Sequence, residues 1–489
     1  MRFNRTRLYQ DIAMNRTILF ACASSLTLMG CTSDPLAPRP THALTRSIDP
    51  SLPASPVPSR FRAGDDEHPD TPASITDIPS TPDEFVRLAL YRSPELERAY
   101  QQWVAMGERV TQAGVLPDPR LSVGFFANEV ETRVGAQQAR IGLTQQLPWA
   151  GKRRAAQDAA SAEARAAWVR YTTIERSITR RVITTLYTLH ELDGTIDITR
   201  ESLGLLASFE DSIRARYRVG TGSHPDLVRV QVELGMLDDQ LISLESSRAP
   251  LVAQLNALLD RPHDTPVAPI ADLPIPALDA TLDELIARAS NTNPSLIALG
   301  ERVRAEQSRT EIARYASKPE LGIGVETILT NDAINPNTPE SGDDPLILSF
   351  NLNLPIWREK YDAQVRESIA NRLALAHEHD ALRNDLSARI ARAHFDYTDA
   401  RRRAGLYEHT LIPKSTESIQ SILASFRTGS GGFTDLLDAQ RTLLEFERSA
   451  LRARIAQGIA LAQIHELIGI SDASSSNNDS ETTNTETHP

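Results

Sequence analysis

Apolar positions along this 489-residue chain follow two periods, and the periods alternate twice in the same order. Leu121, Val123, Phe125 and Ala127 are separated by positions that include Ser122 and Gly124. Ile141 and Leu143 alternate with Arg140, Gly142 and Thr144. Further on, Leu321, Ile323 and Val325 alternate with Gly322, Gly324 and Glu326. Leu346, Leu348, Phe350, Leu352 and Leu354 do the same against Ser349, Asn351 and Asn353. A period of two predicts strands with one apolar face and one small or polar face. Pro148 and Pro355 close the second strand of each pair and mark strand-to-helix junctions, because proline has no N–H to give to a ladder.

Between and around these strands the period becomes helical. Residues 82–113 and 282–314 each predict a helix before the strands. Residues 152–218 contain no Pro and two Gly, Gly194 and Gly204, and as a helix would extend roughly 100 Å at 1.5 Å per residue. Val182, Leu189, Ile196 and Leu203 fall seven apart, and Val230, Leu234, Leu237, Leu241 and Leu244 step by four and three, the spacing of a coiled-coil seam. Leu251, Leu255 and Leu258 continue it. Pro250 is expected to kink this run. Shifted by 209, the corresponding positions are Ala439, Leu443, Phe446, Ala450, Ala453, Ala460, Ile464 and Leu467. These smaller residues predict a closer helix approach.

The two passes are related in sequence. "SPELERA" at Ser93 answers "NPSLIAL" at Asn293, and "LPDPRLSVGFF" at Leu116 answers "ASKPELGIGVE" at Ala316, both at an offset of 200. "GLTQQLPWAGK" at Gly142 answers "SFNLNLPIWRE" at Ser349 at 207. "YRVGTGSHPDLVRVQ" from Tyr217 answers "FRTGSGGFTDLLDAQ" from Phe426 at 209. The reading is a mainly α chain with a small β part, built from a duplicated helix–strand–strand–helix unit. It predicts a first repeat at 81–260 with a hairpin near 119–147. A Pro-rich linker follows at 261–280, then a second repeat at 281–470 with a hairpin near 319–355. Residues 31–80 are Pro-rich and 471–489 are Ser, Asn, Thr and Glu with almost nothing apolar, so a tether and a disordered tail are expected there.

Composition sharpens this picture. The net charge of −12 disfavours a nucleic-acid partner. The two cysteines, Cys22 and Cys31, both lie near the start, so mature disulfides are not expected. Arg16, the apolar run 18–29 and "LMGC" at 28–31 have the form of a signal peptide over 1–30, and Met14 is a second possible start. The segment resembles a bacterial lipoprotein signal, with Cys31 as lipid acceptor and no Asp directly after it. An ordinary signal peptide and a buried N-terminal strand are the other readings. No other segment approaches eighteen apolar residues in a row, so a membrane crossing after maturation would not use helices.

Four strands cannot close a barrel, for which about eight are needed. Three copies of four would close one of twelve, apolar outside and polar inside, on a closing threefold axis. Here the sequence resembles the TolC-type outer-membrane efflux proteins. The resemblance rests on the lipoprotein signal, the repeated unit, "LPWAGKR" at 147–153 and the two Gly-rich turns, and covers about residues 82–470. It implies a homotrimeric channel-tunnel in outer-membrane lipid, with helices in the periplasm meeting an adaptor and an inner-membrane pump. The turns Gly220–Thr221–Gly222 and Gly429–Ser430–Gly431 would then lie at the periplasmic tip and contact the adaptor, or serve only to reverse the chain. Asp435 and Asp438, with Asp226 as first-repeat counterpart, would ring the narrow aperture, attract cations and raise some of their own carboxyl pKa values. The alternative role for the acids is stabilisation of a helix N-terminus. Phe426 and Gly431 depart from the Tyr and Arg that the family's closed gate can use, so the gate is either held by other contacts or more easily opened. "LPWAGKR" looks like branches that export heavy metals or drugs.

Enzyme chemistry is not expected, nor a cofactor or a metal site. His377 and His379 are two apart and face different ways on a helix, while "HELDG" and "HELIG" lack the second His of a zincin. A periplasmic coiled-coil adaptor and a structural envelope lipoprotein are the competing readings.

Overall fold

The computed structural model describes residues 79–469 apart from 271–272, 336 and 429. These residues belong to one unit. The expected signal peptide, Cys31, nearly all of the tether and the tail lie outside the described residues.

The first pass begins with two helices, α1 (Pro82–Arg92) and α2 (Pro94–Gly114), where the pattern predicts one. The second begins the same way, with α5 (Leu282–Thr292) and α6 (Pro294–Ala316). The cause is local. A residue before proline is pushed out of the helical region, and Ser93 and Asn293 are extended, with ψ of 113° and 121°. Each then caps the next helix: Ser93 Oγ accepts from the Leu96 N–H at 3.2 Å, and Asn293 Oδ1 accepts from Ser295 and Leu296. Proline is favoured just after such a cap because its missing donor would be unpaired there anyway. Thr81 with Glu84 and Thr281 with Glu284 form matching capping boxes at the preceding helix starts, which satisfy two orphan donors each.

The strands are β1 (Arg120–Thr132), β2 (Gly135–Leu147), β3 (Glu320–Thr330) and β4 (Leu346–Asn353). They form a single antiparallel sheet in the order β1-β2-β3-β4. Leu121 stands opposite Leu143, Leu143 opposite Val325, and Val325 opposite Leu348. Val123 and Ile141, then Ile323 and Phe350, repeat that pairing one step along. The register therefore places the alternating apolar residues on one face, where Phe125 and Phe350 are 76% and 75% exposed in the single chain. The opposite face carries Ser122 beside Gly142, and Thr144 beside Gly324 and Ser349.

Five helices follow the hairpins. They are α3 (Ala150–Arg218, 69 residues), α4 (His224–Leu258), α7 (Arg358–Leu406), α8 (Ile412–Arg427) after a π-helical turn at Tyr407–Leu411, and α9 (Phe433–Ile468), which ends the described chain. Pro250, where a kink was expected, lies inside α4, whose helix runs on through it. The interruption falls in the other half, next to Pro413, where a missing N–H and a crowded ring favour local rewinding of the backbone.

The predicted seams are largely buried. Val182, Leu189, Ile196, Val230, Leu237, Ala450, Ala453, Ile464 and Leu467 all lie in the core. One cluster joins Phe209 and Ile213 of α3, Val230 of α4, Ile419 of α8, and Phe433 and Leu436 of α9. A second, around Leu285, Leu386, Ile390, Tyr397 and Ile464, binds α5 and α7 to α9. The Pro-rich linker is strapped to these helices. His190 Nδ1 lies 3.0 Å from the Ile270 carbonyl, Arg248 donates to Val267 O at 3.0 Å, and the Leu278 N–H donates to Tyr397 Oη at 3.0 Å.

Small residues do let the helices approach closely. A Cβ on Gly458 of α9 would sit 2.5 Å from the Tyr187 ring of α3, and that ring is held by a 3.4 Å bond from its hydroxyl to Pro274 O. Gly458→Ala is expected to cost about 1–3 kcal/mol in overpacking, offset by about 1 kcal/mol of helix propensity. Thermal unfolding in detergent should therefore show a lowered Tm. An unchanged or raised Tm would mean the contact yields freely.

Candidate functional site

The two Gly-rich turns are built alike. In the first, the Arg216 carbonyl accepts from the Thr221 and Gly222 N–H groups at 3.0 and 3.1 Å, and from Thr221 Oγ1 at 3.2 Å. In the second, the Ser425 carbonyl accepts from the Ser430 and Gly431 N–H groups at 3.0 and 3.1 Å, and from Ser430 Oγ at 3.1 Å. One carbonyl at the end of each helix thus satisfies three donors in the first turn and four in the second, where Thr428 Oγ1 also donates to it at 3.0 Å. Gly220 has φ +77°, which a side chain disfavours. A Cβ on Gly222 would stand 2.7 Å from the Tyr217 backbone nitrogen, and one on Gly431 would stand 3.0 Å from that of Phe426. Gly429 lies outside the described residues.

The turns are brought side by side by contacts between the two halves. The Arg216 guanidinium lies 4.6 Å from the centre of the Phe426 ring and donates to the Phe426 carbonyl at 2.9 Å. Arg229 donates to Thr434 Oγ1 at 2.6 Å. Arg441 of α9 forms a two-pronged pair with buried Glu233 of α4, with Nε to Oε1 at 3.0 Å. Gln440 donates to Ser202 at 3.2 Å, and Arg448 donates to Thr199 Oγ1 at 2.7 Å. Phe426 has no hydroxyl to offer, but its ring and carbonyl both engage Arg216. Sequence reasoning singled out Phe426 and Gly431 and missed Arg216, Glu233 and Arg441. Only Glu233 and Arg441 carried a signal, since a Glu and an Arg stand 208 apart, close to the repeat offset.

Of the acids, Asp435 and Asp438 are both exposed, three residues apart on α9, and so share a helix face. Asp438 lies 3.5 Å from Arg441. Asp226 is half-buried in the first turn of α4, three residues before Arg229. Higher on α9, burial and then the charge of Glu201 push the Glu447 carboxyl above its ordinary value. Neither Pro148 nor Pro355 lies in a strand or helix. Each sits in a short link, between β2 and α3 and between β4 and α7.

On the sheet's polar face, Arg140 of β2 lies 3.8 Å from Glu326 of β3. Among the described residues no helix is long and apolar enough to cross a membrane, which says nothing of the strands.

The family model for outer membrane efflux proteins matches residues 85–261 and 285–470. The chain belongs to that family. Both matched stretches hold the same succession of helices, hairpin and helices, and they exclude most of the Pro-rich linker. The chain is similar to the cobalt-zinc-cadmium resistance protein CzcC of Cupriavidus metallidurans, at 21% identity over 69% of this chain and 77% of that one. Among solved structures it resembles the outer membrane protein VceC of Vibrio cholerae, with a TM-score of 0.65, 18% identity, and coverage of 80% of this chain and 96% of that one. It also resembles the open state of the MtrE outer membrane channel of Neisseria gonorrhoeae, with a TM-score of 0.66, 16% identity, and coverage of 80% and 89%. These likenesses support the fold throughout the described region. The chain is thus a member of the outer membrane efflux protein family, and the solved structures that share its fold include an outer membrane channel. The adaptor and envelope-spacer readings are set aside.

Proposed function

We propose that three copies of this chain form the outer-membrane exit duct of a tripartite efflux system. The observation that carries the reading is the sheet itself. It has an exposed apolar face, a polar face, and two open edges at β1 and β4. Unpaired edges are a liability in water and cannot be tolerated in lipid. Pairing β4 of one protomer with β1 of the next, three times around, removes every edge and closes a twelve-stranded barrel. The apolar face then meets lipid, and the Ser, Gly, Asn and Arg140–Glu326 face lines the pore. In this reading the repeated element order comes from duplication of one hairpin unit, and Cys31 carries the lipid anchor. The helices form a periplasmic tunnel whose tips, Gly220–Gly222 and Gly429–Gly431, engage an adaptor linked to an inner-membrane pump. Transport through the duct itself is passive.

In this reading Asp226, Asp435 and Asp438 lie at the aperture, where three copies would set the two α9 acids in a ring of six. Recording in planar bilayers tests duct and ring together. Detergent-purified protein should run as a heat-modifiable trimer and conduct with cation preference, and the paired change Asp435→Asn and Asp438→Asn should lower that preference. A monomer without conductance would sink the duct, and unaltered selectivity would remove the acids from the aperture.

The closed tip is held in part by Arg216 and Phe426. A charged hydrogen bond contributes about 1.5–3 kcal/mol and an exposed cation–π contact about 0.5–1 kcal/mol. Because the site is at a tip open to water, Arg216→Ala should shift the equilibrium by about 1–2 kcal/mol, roughly five- to thirtyfold towards separated turns. The measurement is open probability in the same bilayers, and no increase would exclude Arg216 from gating.

The cargo class proposed is divalent metal cations. It is supported by the likeness to CzcC, the "LPWAGKR" segment and the acidic aperture. A strain lacking the chain should become sensitive to cobalt, zinc or cadmium salts, and sensitivity confined to organic dyes would overturn the assignment.

A further inference from the structure

The rim where the sheet passes into the helices has a chemistry of its own. Strand parity carries the apolar face past the end of β2 to Trp149, and past the end of β4 to Ile356, followed by Trp357. These three are 48%, 69% and 73% exposed. Trp149 is fixed in place, its indole Nε1 donating to the Pro319 carbonyl at 2.8 Å. Lys318 is exposed beside it, its ammonium 4.1 Å from the centre of the Tyr315 ring and 6.0 Å from that of Trp149. After β4, in the first turn of α7, Lys360 lies 5.6 Å from the Tyr361 ring. The first turn of α3 holds Lys152, Arg153 and Arg154 and no acid. Lys152 is paired with Glu320 and Arg153 reaches the Gly114 carbonyl. In a chain of net charge −12, this rim is locally rich in cations where an apolar face ends.

An apolar band that ends in tryptophan and lysine matches a bilayer in depth: chains against the band, indoles at the glycerol level, ammonium groups among the phosphates. We propose that this rim selects anionic glycerophospholipids in the leaflet on the helix side, with Lys318 and Lys360 as the headgroup contacts. Zwitterionic lipids share the phosphate but bring their own cation, so they gain less from these lysines. The aromatic rings hold the ammonium groups near the band without neutralising them, because a ring face attracts a cation but carries no net charge. Water-exposed lysine near an anionic surface favours such lipid locally, roughly up to fivefold for each lysine. The proposal rests on the reading that the apolar sheet face lies in the membrane.

Tryptophan quenching separates the two. The chain has four tryptophans, and Trp103 and Trp168 pack together between α2 and α3, their rings 4.8 Å apart. Trp149 and Trp357 are therefore the reporters. Full-length protein is placed in phosphatidylcholine nanodiscs containing a minor fraction of chain-brominated phosphatidylglycerol or of chain-brominated phosphatidylcholine. The expected result is roughly twofold or greater excess quenching by the phosphatidylglycerol probe, falling to parity in the Lys318→Gln, Lys360→Gln double variant. Equal quenching by the two probes in the unaltered protein, or an excess that survives the double substitution, would overturn lipid selection while leaving the membrane placement intact. No quenching by either probe would overturn the membrane placement, and the proposal with it.

Discussion

A four-stranded sheet with two unpaired edges and one apolar face is the constraint on which the rest of this structure depends. Backbone donors on the outer edges of β1 and β4 need partners, and leucines and phenylalanines on one face need an apolar medium. A second layer packed on that face would meet the apolar need, as it does in most antiparallel proteins. Here the face is left open, from Leu121 and Phe125 on β1 to Phe350 and Leu352 on β4. In the proposed trimer, lipid would supply what a second layer would have supplied, and further copies of the same sheet would supply the missing strands. The polar face follows from the same constraint. Glycines at 142 and 324 leave room for Ser122, Ser349 and Glu326 beside them, and Arg140 finds Glu326 rather than hydrocarbon.

The helices meet a different demand, which is to bury a core along a great length with little width. The seam along α9 is richer in alanine than that along α4, and Gly458 against Tyr187 of α3 marks how near the backbones of α9 and α3 come. Polar residues within such a seam must then be paired. Glu233 is buried and finds Arg441 across the halves, and Gln440 finds Ser202. An unpartnered charge at such a site would cost several kcal/mol. These pairs therefore specify which helix of the first half lies against which of the second, where leucine and alanine alone would tolerate a slip.

Much of this was legible in the sequence because it rests on period. Strand faces, the long helix from 150 to 218 and the turns at 220–222 and 430–431 each follow from a repeat distance or a residue type that admits few conformations. Three features escaped. The breaks at Ser93 and Asn293 were hidden because the apolar pattern runs straight across them, although "SP" and "NP" carry the cap and the proline that cause them. Pro250 and Pro413 show the limit of a single-residue rule. Each removes one donor, and whether the helix continues or rewinds depends on the surrounding packing, which the sequence does not display. Cross-half partners escaped for a related reason. Arg216 answers Phe426 at a separation near the repeat offset, yet its counterpart in the other half is Ser425, so no symmetry pointed to it.

In the proposed duct, that asymmetry bears on how a gate could change its contacts without changing its plan. Both turns use one helix-end carbonyl, Arg216 O or Ser425 O, to hold the reversing chain. The side chain at that position is then free to differ between the copies. In the first turn it is an arginine that reaches across to the second half, and in the second it is a serine whose hydroxyl donates to the Ser421 carbonyl of its own helix. Phe426 meets the arginine with a ring face and a carbonyl. Backbone geometry is what the two halves conserve between them, and side-chain contact is what they divide.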